Sequence, residues 1–72
     1  MRTTRGGKKL DAMIDRLYGA LADGVQVRVL DLPLIFRDCR AAASAALPEG
    51  PTAVEAALVA AVQAAIIQYR QN

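Results

Sequence analysis

The chain has 72 residues, a net charge of +2, 54% hydrophobic residues and 22% charged ones, so it holds one domain at most, and a fold this small buries only about 60% of its unfolded surface. It has no histidine, and Cys39 is its only cysteine, which excludes an internal disulfide, a Cys/His zinc site and the catalytic arrangements built on an imidazole. Asp11 and Asp15 lie four apart, but Lys8 and Arg16 beside them make a solvated helix face, so the chain reads as a non-enzyme with no cofactor and no metal.

Residues 1–7 read as a flexible basic arm, and 8–72 as a single small helical domain. Arg2, Arg5, Lys8 and Lys9 crowd the first nine residues with no acid among them. Such an arm suits a phosphate backbone or an acidic protein surface. No apolar signal region follows it, and with one free thiol the expected compartment is the cytoplasm.

From Lys8 the period becomes helical. Leu10, Met13, Ile14, Leu17, Tyr18 and Leu21 recur at three- and four-residue spacing, which predicts an amphipathic helix. Gly24 is placed to end it in a left-handed cap. The period then changes to two: Val25, Val27 and Val29 alternate with Gln26, Arg28 and Leu30, which predicts a short β-strand. No second alternating run exists in the chain. The strand's partner is therefore another molecule, or the segment is an extended connection packed by its valines.

Asp31 is placed to cap the next helix, with Pro33 tolerated in its first turn. Leu34, Ile35, Cys39, Ala42, Ala43 and Ala46 supply its apolar stripe. In that stripe Cys39 reads as a small buried hydrophobe. Leu47-Pro48-Glu49-Gly50-Pro51 marks a turn.

The last helix is the plainest feature. Ala53 to Ile67 contains only two polar side chains, Glu55 and Gln63, and alanine is the best helix former. Thr52 and Glu55 have the spacing of a capping box. Val54, Leu58, Ala61, Val62, Ala65, Ile66 and Tyr69 share one face; Ala53, Ala56, Ala60, Gln63, Ala64 and Ile67 share the other. A helix apolar nearly all round is usually buried on more than one side. Its apolar run falls short of the roughly 20 residues of a membrane span, so no membrane partner is expected. The fold class is mainly α, three helices with one short strand between the first and second. Leu17, Leu21, Val27, Ile35, Leu58, Val62 and Ile66 are its expected core.

From Val25 onward, about two-thirds of the chain, the sequence resembles the ribbon-helix-helix family of DNA-binding dimers. The resemblance rests on the alternating run Val25–Leu30 and on Gly50, Thr52 and Glu55, which match that family's turn into its second helix. It implies a homodimer with one strand per chain paired into a ribbon, the valines inward, and Gln26 and Arg28 facing bases in the major groove. The amides near Thr52 would anchor a phosphate. The function implied is a non-enzymatic transcription regulator. A second class fits the same residues: a small phage-type or adaptor protein that regulates a larger protein, for example RNA polymerase, by direct contact. There the 25–30 segment covers the core or adds to a partner's sheet edge.

Overall fold

Apolar residues at helical spacing, with Gly and Pro gathered between the runs, give three helices: α1 (Thr4–Leu21), α2 (Leu32–Ala46) and α3 (Pro51–Tyr69). The computed structural model describes residues 4–71, with side chains from residue 9 onward. Helix α1 begins at Thr4, so residues 4–7 of the expected arm are its first turn. Once the Leu10 stripe has nucleated the helix, each further residue adds a hydrogen bond and no proline stops it. Gly24, at a φ of 81°, ends it as expected.

Leu10, near the start of α1, and Val54, near the start of α3, line one groove with Ala43 and Leu47. Leu21, at the end of α1, lines another with Ile66 and Ile67. Helices α1 and α3 therefore run in the same direction and α2 runs back. Between them lies a core of Ile14, Ala22, Ile35, Cys39, Ala43, Leu58, Val62, Ala65 and Ile66. Ile35, Leu58, Val62 and Ile66 are buried as their periodicity predicts. Leu17 and Val27 pack on the core while half-buried. Leu21 is 37% exposed, because it is the last residue of α1; Ile14, further back, takes the central place.

The predicted strand does not form. Among the described residues there is no β-strand, only one antiparallel bridge, Val27 with Arg70. Val29–Asp31 closes into a 3-10 turn, with the Asp31 N–H donating to the Arg28 carbonyl at 2.9 Å. Val29 is then 77% exposed, so the three valines share no face. A strand needs a long extended neighbour, and the fold offers the segment only the last residues after α3.

Two expected caps also change. Asp31 does occupy the N-cap of α2, with Pro33 in the first turn, but its carboxylate makes no capping bond. The capping box at Thr52 does not form, because α3 starts two residues earlier, at Pro51, with Gly50 as its N-cap. Proline is preset for the first helical position, and the Val54 N–H donates to the Gly50 carbonyl at 3.1 Å. Thr52 is left exposed inside the first turn.

Helix α3 buries one face only. Leu58, Val62, Ala65 and Ile66 enter the core, while Ala56, Ala60, Gln63, Ala64 and Ile67 are exposed. By length and composition it is apolar enough to cross a membrane, yet only 22% of its most apolar window is buried in the fold.

Candidate functional site

The sequence-predicted site residues fall into two groups at opposite ends of the molecule. Lys9 and Thr52, both exposed, lie at the end where α1 and α3 begin. Arg5 and Lys8 belong to the first turns of α1, with side chains outside the described residues, and Arg2 lies outside them altogether. Gln26 and Arg28, also exposed, lie where α3 ends. Since α3 has 19 residues, its ends stand about 28 Å apart at 1.5 Å per residue. The two groups do not form one binding surface.

The end holding Gln26 and Arg28 is the more elaborately built. The Gln71 N–H donates to the Gln26 carbonyl at 2.8 Å, and the Arg70 N–H still donates to Ile66 at 2.9 Å. The chain after α3 is thus clipped onto the α1–α2 connection, beside the Val27–Arg70 bridge. Arg28, Asp31, Gln68, Tyr69, Arg70 and Gln71 surround an open polar cleft of about 400 Å³.

Arg28 grips Asp31 with both arms of its fork: Nε donates to Oδ2 at 3.0 Å and Nη2 to Oδ1 at 3.1 Å. This planar two-point pairing is what a guanidinium does best. Asp31 is buried, while the Arg28 side chain is 58% exposed. The hydrogen bond to Asp31, then its charge, hold the guanidinium above its ordinary range. The carboxylate also lies at the N-terminus of α2, where the helix dipole favours a negative charge.

Beyond this ion pair the chain turns outward. Val29 and Leu30 are 77% and 81% exposed, two adjacent apolar side chains on a hydrogen-bonded turn whose base is fixed by Arg28 and Asp31. Arginine is enriched at protein contacts, and here it stands beside two exposed apolar side chains. Leu30 was visible in the sequence as the residue that breaks the polar side of the Val25–Leu30 alternation. Arg70 and Gln71 carried no such signal, since only the fold brings them beside Gln26.

Cys39 has no exposed surface; burial, with the neighbouring Asp38 charge, pushes its thiol up while Arg40 opposes. It is a protonated core residue. Among the described residues no cluster of His, Cys, Asp or Glu could hold a metal ion. No known protein family, curated protein or solved structure matches this chain.

Proposed function

We propose that this protein is a small regulator or adaptor that acts by binding a larger protein, and that it does so with the Arg28–Asp31 turn. The observation that carries this reading is the exposure of Val29 and Leu30, at 77% and 81%, side by side on a turn pinned by the Arg28 fork. A turn already closed by a hydrogen bond and an ion pair has less entropy to lose on binding than an open loop, which favours Val29 and Leu30 as anchors. Arg70 beside them favours an acidic rim on the partner, while the charge of Arg28 is already met by Asp31. Ribbon-type contact with DNA would need an extended strand through Leu30, where the chain instead closes into a 3-10 turn, and Arg28 free to meet a base.

The test compares the wild type with a Val29→Ser, Leu30→Ser double variant in affinity capture from the source cell. Both side chains are exposed, so the variant should keep its helical circular dichroism and its stability within about 0.5 kcal/mol. A partner that the wild type retains and the folded variant loses supports the proposal. Equal capture by both proteins, or a sequence enriched from a random DNA duplex pool in a shift assay at physiological salt, would reject it.

A further inference from the structure

Helix α1 has an edge that takes no part in the core and lies apart from the Val29–Leu30 turn. Arg5, Lys9, Ala12 and Arg16 recur along it at intervals of four, three and four residues. At about 100° per residue, these positions fall within about 60° of one another round the helix. Lys9, Ala12 and Arg16 are exposed, and the backbone of α1 carries Arg5 in the same register. The rotation of α1 is fixed from its other side. Arg40 of α2 donates from Nη1 to Oδ1 of Asp11 at 2.8 Å, and Asp11 lies about 160° round from Lys9 and about 140° from Arg16. Asp15, the other acid of α1, stands about 100° from Arg16. The three ion pairs among the described residues occupy Arg28, Arg37 and Arg40; Lys9 and Arg16 belong to none of them.

We propose that this edge binds the phosphate backbone of a nucleic acid without reading its sequence. What stands between the cations decides the partner. A lipid surface takes apolar side chains into its acyl boundary, and the centre of a protein contact is apolar or aromatic. Between Lys9 and Arg16 this edge offers only Ala12. It carries no Asn, Gln or aromatic ring to address bases either. Phosphates ask for positive charge and close approach, and the small Ala12 lets a strand lie against the helix. From Arg5 to Arg16 the edge runs about 16.5 Å at 1.5 Å per residue. That spans about five phosphates on one strand of B-DNA, at about 3.4 Å each.

The Val29–Leu30 turn lies outside this contact, so the inference does not depend on the proposed function, and binding of this kind enriches no sequence from a random pool. The test titrates the full chain into dye-labelled DNA and RNA duplexes of one mixed sequence and follows their anisotropy. Three contacts on the DNA should give a logarithmic salt slope of about 2.7, a loss of about 500-fold between about 20 and 200 mM salt. Lys9→Gln with Arg16→Gln, both at exposed positions, should keep the helical circular dichroism. It should bring the slope to about 0.9 and weaken binding at about 20 mM salt by about tenfold or more. Ala41→Glu with Ala45→Glu, exposed on α2, lowers the net charge equally and should leave the slope as in the wild type. Binding of either duplex in this pattern supports the proposal, and the tighter of the two names the nucleic acid. A wild type that binds neither duplex at low salt would overturn it. So would an unchanged slope in the Lys9, Arg16 variant, or an equal loss of slope in the α2 variant. Displacement of the duplex by polyglutamate at matched charge would assign the edge to an acidic protein surface and overturn it too.

Discussion

Cys39 sits among Ile14, Ile35, Leu58 and Val62 with no exposed surface, and its thiol is pushed above the ordinary range by burial first and by Asp38 second. The folded chain therefore holds this proton more tightly than the unfolded chain. That contribution is complete at neutral pH. It begins to decline once pH passes the ordinary thiol value of about 8.5, and is gone once pH has risen through the folded value. We expect the urea midpoint of the wild type to fall more steeply above about pH 8.5 than that of Cys39→Ala, whatever the offset between them at pH 7. Parallel curves would show that the buried thiol does not couple folding to pH. At this scale the sequence was readable wherever the answer depended on polarity and period, as for Cys39, Ile35 and Leu58. It was opaque for Asp31, whose type and place suit a helix cap equally well. Only the three-residue return of the chain lets Arg28 reach that carboxylate and take it from the cap amides.

The helices announce themselves through the spacing of their apolar residues, and the connections do not. Val25, Val27 and Val29 alternate as a strand would, but alternation describes a segment's own preference and says nothing of a neighbour to bond with. With only Arg70 and Gln71 within reach, the extended backbone lasts to Arg28 and then coils into the 3-10 turn. The start of α3 shows the same limit, for Thr52 and Pro51 both signal a helix beginning and proline takes the position. The cost of that choice falls on Gly50, held at a φ of 102° and ψ of 176°, a region open in practice to glycine alone. Gly50→Ala should therefore destabilise the protein by about 1–3 kcal/mol, although a Cβ there meets nothing within 4 Å. Gly19 also has open space around it but lies inside α1, so Gly19→Ala should stabilise by about 0.5–1 kcal/mol. Thermal melts of the two variants should move in opposite directions; shifts of the same sign would mean that contacts, and not backbone conformation, govern these sites.

The molecule as a whole measures 36 × 26 × 17 Å. Its thinnest dimension is less than two helix diameters of about 10–12 Å, so each helix keeps a solvent-facing side and α3 cannot be enclosed by its own chain. The radius of gyration, 12.1 Å, is slightly above the roughly 11 Å of a compact domain of this length. In so thin a fold the buried residues are few, and among the described residues Leu58 is one of five whose side chains are fully enclosed. Leu58→Ala should cost about 2–5 kcal/mol out of a total that for small domains is about 5–15 kcal/mol. A loss below about 0.5 kcal/mol in urea unfolding would place the centre of the core elsewhere. The clip between Gln71 and Gln26 adds a different property. An amide just past the end of a helix ordinarily frays on its own, at almost no free-energy cost. Here the last turn of α3 cannot fray without releasing the α1–α2 connection, and that connection cannot swing out without unpairing the chain after α3. The two segments steady each other through these bonds, so whatever grips Val29 and Leu30 also steadies the far end of α3.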